Sequence, residues 1–130
     1  MTHIYSLPLP PSANSYYRSL GRGRVVISAA GREYRKTVWA LAMQTGQPAY
    51  TCRIVVTVAV TFARTGRMDL DNRLKPLLDA LQHARAYDDD SQIDDLRIYR
   101  CGAPRPPGDV LVTIKTLEPL PPRWQADHVS

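Results

Sequence analysis

The chain has 130 residues, 44% apolar and 22% charged, with a formal net charge of +5. That suits one domain with its own core and excludes two of similar size. No apolar run approaches the ~18–20 residues of a membrane span, and the opening residues lack the basic start and long apolar stretch of a secretory signal, so a cytoplasmic protein is expected.

Residues 4–9 suit a short strand, ended by Pro8, Pro10 and Pro11. Residues 12–24 suit a loop in which Asn14, Tyr16, Tyr17, Arg18, Arg22 and Arg24 alternate with Gly21 and Gly23. Cations mixed with aromatics suit phosphate contacts and base stacking, although a plain surface loop has the same composition. Ser28 can cap a helix over residues 29–45, with Tyr34, Val38, Leu41 and Ala42 facing the core and Arg32, Arg35 and Lys36 elsewhere. Gly46 and Pro48 end it. Residues 53–63 are rich in β-branched residues and nearly continuously apolar, which predicts a strand covered on both faces. Arg64-Thr65-Gly66-Arg67 then turns the chain.

Leu70, Leu74, Leu77, Leu78 and Leu81 form one helical stripe, with Asp71, Lys75 and Asp79 in a line beside it. Pro76 places the start of this helix near Asn72 or later, with Asp69 and Asp71 at or before its N-terminus. Residues 85–92 connect to a strand at 93–101. Residues 102–109 suit a hairpin-like turn, and 110–117 alternate as a final strand. The expected class is α+β: a single domain, residues 1–118, with two main helices and one mixed sheet in the order β-α-β-α-β-β. A Pro-rich C-terminal tail, residues 119–130, follows. Cys52 and Cys101 have no CxxC spacing and no histidine partner at zinc distance, so reduced core thiols are expected.

Charge is unevenly distributed. Residues 1–68 carry nine bases and one acid, net +8; residues 69–95 carry three bases and eight acids, net −5; the remainder carries five bases and three acids, net +2. Carboxylates this dense repel unless a cation joins them, and Mg²⁺ is bound by one or two carboxylates together with substrate phosphates. A metal held by Asp69, Asp71 and Asp90 inside a basic protein points to phosphodiester chemistry, with Lys75 stabilising charge on the phosphate or leaving oxygen. The competing reading is a capped helix with an Asp71–Lys75 pair of about 0.3–0.5 kcal/mol and a solvated acidic loop. Asp88-x-Asp90 begins like a calcium loop, but Ile93 and Tyr99 occupy its glycine and glutamate positions. His3, His83 and His128 are too dispersed for a zinc site or a triad.

The segment Asp69-Leu70-Asp71-Asn72-Arg73-Leu74-Lys75-Pro76-Leu77-Leu78-Asp79-Ala80-Leu81, followed by Asp89-Asp90-Ser91-Gln92-Ile93, closely resembles the RusA family of Holliday-junction resolvases. Leu9-Pro10-Pro11-Ser12-Ala13-Asn14 resembles the family's opening, and Ser28 to Tyr34 its first helix start. The resemblance implies a Mg²⁺-dependent endodeoxyribonuclease, with Mn²⁺ a substitute, that resolves four-way DNA junctions by paired nicks as a homodimer. It implies Asp69, Asp71 and Asp90 as catalytic metal ligands, with Asp89 the fallback for the third. It implies Lys75 as the active-site lysine, with Asn72 and Asp79 in support. Asn14, Tyr17, Arg18, Arg22, Arg24, Arg32, Arg35, Lys36, Arg64 and Arg67 are the candidate DNA contacts. Two other readings stay open: a non-catalytic junction-binding protein, and a metal nuclease acting on flaps or forks.

Overall fold

The computed structural model describes residues 1–117; the Pro-rich tail expected at 119–130 lies outside them. Strand β1 (Thr2–Pro8) leads to a one-turn helix α1 (Ala13–Tyr16) and a hairpin of β2 (Tyr17–Gly21) and β3 (Arg24–Ile27). Helix α2 (Ala29–Thr45), strand β4 (Ile54–Thr61) and helix α3 (Asp71–His83) follow. A 3-10 turn (Asp90–Gln92) opens into β5 (Ile93–Arg100), and β6 (Asp109–Thr116) closes the described chain.

The main sheet has the order β1-β6-β4-β5, with β4–β5 parallel and the other pairs antiparallel. It is therefore mixed, and the chain is an α+β domain. Strand β4 lies between two partners, and its Ile54, Val56, Val58 and Val60 side chains are almost wholly buried. They pack with Val110, Val112 and Ile114 of β6, with Tyr34 and Val38 of α2, and with Leu77 and Leu81 of α3 in one core.

Three features differ from the sequence reading. Residues 12–24 are not a loop. Arg22 and Gly23 both take positive φ, 54° and 73°, as a tight primed turn demands, so the flanking residues pair as a hairpin. Residues 102–109 do not form a hairpin turn either. β5 and β6 flank opposite sides of β4, so this segment crosses the end of β4, where Cys101 N–H donates to Val60 O and Arg105 N–H to Phe62 O. Finally, Cys52 and Cys101 are free but exposed rather than core thiols, because one precedes β4 and the other follows the edge strand β5.

Helix α2 begins at Ser28, whose hydroxyl accepts from Gly31 N–H at 3.0 Å and donates to the Tyr16 carbonyl at 2.9 Å. The same cap thus starts the helix and ties it to α1. Gly31 is required by proximity: a Cβ there would lie 2.4 Å from the Tyr16 carbonyl oxygen and 2.7 Å from Ile27 Cγ2. Gly31→Ala is expected to destabilise the domain by about 1–3 kcal/mol, as overpacking against backbone does. A thermal melt should show a midpoint several degrees lower; an unchanged midpoint would mean that α2 sits farther from α1 in solution.

Candidate active site

Helix α3 builds one wall of a cavity of about 410 Å³. Asp71, Lys75, Asp79 and Gln82 recur at steps of four, four and three residues, so all project along one line of the helix into the cavity. Tyr17, at the start of β2, supplies the facing aromatic wall, with the Lys75 Nζ 5.9 Å from its ring centroid. Asp90 enters from the 3-10 turn beyond the far end of α3. Pro76 lies in the second turn of α3 and is buried, so the helix accepts a residue that donates nothing to the Asn72 carbonyl.

The turn that presents Asp90 is fixed by neighbouring side chains. Asp89 accepts from Ser91 N–H at 3.0 Å and, together with Gln92, forms a capping box. Gln92 is buried and saturated. Its Oε1 accepts from the amides of Asp88 and Asp89 at 2.9 and 2.8 Å, and its Nε2 donates to the carbonyls of Tyr50 and Cys52, each at 2.9 Å. Gln82 Oε1 accepts from Asp90 N–H at 2.9 Å. Asp89 is thereby committed to the backbone, while the Asp90 side chain lines the cavity. Burial raises the Asp90 carboxyl above the usual range, helped by Asp89 and Asp79 and opposed by Lys75. The Asp89 carboxyl is lowered, chiefly by its bond from the Ser91 amide.

Asp79 is neutralised within the protein. The Arg35 Nη2 lies 2.6 Å from its Oδ2, the Arg35 Nε 3.0 Å, and the Tyr16 hydroxyl donates to the same oxygen. The Arg35 Nε also donates to the Tyr16 oxygen at 2.9 Å. Burial lowers the Arg35 pKa, but these two partners outweigh it and the guanidinium is held charged. The Tyr16 phenol is pushed well above its ordinary value, by burial first and then by Asp79. Arg35 therefore departs from the expected phosphate contact: its fork is occupied by a carboxylate 44 residues away.

Asp69 is exposed in the loop before α3 and does not line this cavity. The loop is anchored nearby. The Arg100 guanidinium donates to the Met68 carbonyl and lies 4.8 Å over the Phe62 ring; Arg73 lies 6.0 Å from that ring and donates to Pro10 O at 2.6 Å. Asn72 Oδ1 accepts from Ala13 N–H at 3.3 Å, linking α3 to α1. Among the described residues, no three His, Cys, Asp or Glu side chains are grouped closely enough to hold a metal ion. Asp71 and Asp90 nevertheless face the cavity without an ion-pair partner among the described residues. Two such carboxylates beside an ammonium form a donor set suited to a hard divalent cation whose remaining ligands are water and phosphate.

Of the candidate DNA contacts, Arg18, Arg22 and Arg24 lie exposed on the hairpin, Arg64 and Arg67 on the loop before α3, Arg32 and Lys36 on α2, and Asn14 on α1. None of these charged side chains forms an ion pair with a described residue. Gln82, Gln92, Arg73 and Arg100 shape the site and were not among the sequence candidates, and Tyr16 serves it through Asp79 rather than by stacking on a base. Only Gln92 carried a local signal: Asp89-x-x-Gln92 is a capping-box spacing.

Residues 8–115 match the family described as Endodeoxyribonuclease RusA. The chain belongs to the RusA endodeoxyribonuclease family. It is 40% identical over 115 residues to the crossover junction endodeoxyribonuclease rusA of Enterobacteria phage HK97, covering 88% of this chain and 94% of that protein. The RusA proteins of Shigella sonnei (strain Ss046) and Escherichia coli (strain K12), also named crossover junction endodeoxyribonucleases, are 39% and 38% identical over 102 residues, 76% of this chain and 82% of theirs. No helix of the described residues is long and apolar enough to cross a membrane.

The network around Asp79 can be tested by Asp79→Asn, which keeps the shape and removes the charge. With the pair partly exposed, the expected loss is about 1–2 kcal/mol. Denaturant unfolding should show a lower midpoint with an unchanged slope; equal stability would mean that the three segments are held together by packing alone.

Proposed function

We propose that this protein is a metal-dependent endonuclease that resolves four-way DNA junctions in recombination and repair, acting in the cytoplasm. What supports the reading most is the shared cavity of Asp71, Lys75 and Asp90, residues from two separate segments of a chain that is otherwise basic. The names of the family relatives make junction DNA the substrate of choice.

In this reading Asp71 and Asp90 would hold the metal from the cavity walls, and Asp69, exposed in the loop two residues before Asp71, would have to turn inward to add a third donor. Mg²⁺, or Mn²⁺ in its place, would supply an activated water and offset phosphate charge. Water adds to phosphorus and the bond to the 3′ oxygen breaks, leaving 5′-phosphate and 3′-hydroxyl ends. Lys75 donates toward the negative charge that grows on the phosphate and leaving oxygen. Asp79, already paired with Arg35, carries no catalytic charge and orients α3 instead. Arg18, Arg22, Arg24, Arg64 and Arg67 take the phosphates of the junction arms. A junction offers two symmetry-related scissile strands, so a two-fold homodimer gives each strand its own site.

The experiment is cleavage of labelled four-way, forked and linear duplex DNA, with and without Mg²⁺. Paired nicks confined to the four-way substrate and dependent on the ion are expected. In the same assay Asp71→Asn should abolish cutting, while junction binding in a gel-shift is equal or tighter because a charge facing the phosphates is gone. Full cutting by that variant, or preferential cutting of forks, would overturn the assignment. Lys75→Ala should lower single-turnover cleavage about 10²-fold or more and leave junction affinity near that of the parent. A defect confined to affinity would move Lys75 from chemistry to binding.

A further inference from the structure

Helix α2 carries a second recess, of about 410 Å³, lined by Arg32, Arg35, Lys36 and Trp39 and by His83 from the last turn of α3. The α2 residues recur at helical spacing and form one stripe beside the face that buries Tyr34, Val38 and Ala42. Trp39, the last residue of that stripe, is 47% exposed. No carboxylate lines the recess, and Arg32, Lys36 and His83 have no ion-pair partner among the described residues. Two of the guanidinium groups are fixed in place: Arg32 donates to the Ile27 carbonyl at 2.9 Å, and Arg35 is held by Asp79 and Tyr16.

An open indole ringed by cations complements a nucleotide, since every base offers a π-face and every phosphate a negative charge. The recess also adjoins the acidic cavity, because Asp79 lines one, Arg35 lines the other, and the two are joined at 2.6 Å. We infer that this recess is a subsite for an unpaired nucleotide of a DNA strand lying beside the acidic cavity. Its base stacks on Trp39, and its flanking phosphates meet Arg32 and Lys36. The inference rests on the nuclease reading only for the choice of ligand; it requires neither a metal nor cleavage.

The chain has two tryptophans, Trp39 and Trp124, so the test uses the full chain with Trp124→Phe, leaving Trp39 as the sole indole. Titrating a short oligothymidylate without divalent ions should quench Trp39 emission saturably. Affinity, read by anisotropy of a labelled oligonucleotide, should fall about tenfold in Trp39→Ala and less in Trp39→Phe, which keeps a stacking ring. The double change Arg32→Ala with Lys36→Ala should weaken binding and flatten its salt dependence. Absence of quenching would overturn the subsite. So would equal binding and quenching by an abasic oligonucleotide of the same length, because phosphates alone would then account for it. A change of sedimentation in Trp39→Ala would also overturn it, by making the face a contact between copies. Junction cleavage with Mg²⁺ is measured on the same parent sample. Quenching without cleavage sinks the nuclease reading and keeps the subsite; cleavage without quenching does the reverse.

Discussion

A single carboxylate oxygen of Asp79 accepts from both the Tyr16 hydroxyl and the Arg35 guanidinium, and so joins segments separated by 63 and 44 residues. Without that junction, α2 would touch α3 only through apolar packing, and α1 would keep only the hydrogen bond from Ala13 N–H to Asn72. With it, the Tyr17 wall is set opposite Lys75, because Tyr17 follows Tyr16 directly at the start of β2. The direction of an aromatic wall and the placing of a lysine thus both depend on one charged pair. The pair is directional, as hydrogen bonds to ions are, and a hydrophobic contact in its place would fix separation without fixing orientation.

The acidic side of the cavity is organised differently. Asp71 belongs to the first turn of α3 and moves with that helix. Asp90 belongs to a turn held by Gln82, Asp89 and Gln92, none of which supplies an ion pair. Acids on two independent supports can sit near one another while repelling, since neither support depends on the charge of its passenger. That is how a focal negative site persists in a chain whose first 68 residues carry nine bases and one acid.

Long periodic elements were legible from the residues alone. The β-branched run at 54–61 and the leucine stripe of α3 each declare one period over many positions, and the central place of β4 followed from its unbroken apolar character. The four-residue spacing of Asp71, Lys75 and Asp79 likewise put them on one line of a helix. Hairpin β2–β3 was not legible, because its turn relies on Arg22 at positive φ, a conformation that the residue type does not advertise. Nor was the insertion of β6 between β1 and β4, which forms through pairings 48 or more residues apart, such as Val58 with Val112. The Arg35–Asp79 pair was hidden for the same reason: a helical position reveals which face a side chain takes, and nothing about an acid on another helix.

Gln92 shows how narrowly such an arrangement specifies a side chain. Its amide offers two acceptor directions and two donors, and all four are used. Glutamate matches its length but cannot donate to the carbonyls of Tyr50 and Cys52. Asparagine matches its chemistry but is one methylene short. Either change leaves buried polar groups without partners, so a side chain outside the cavity still decides where the Asp90 turn sits.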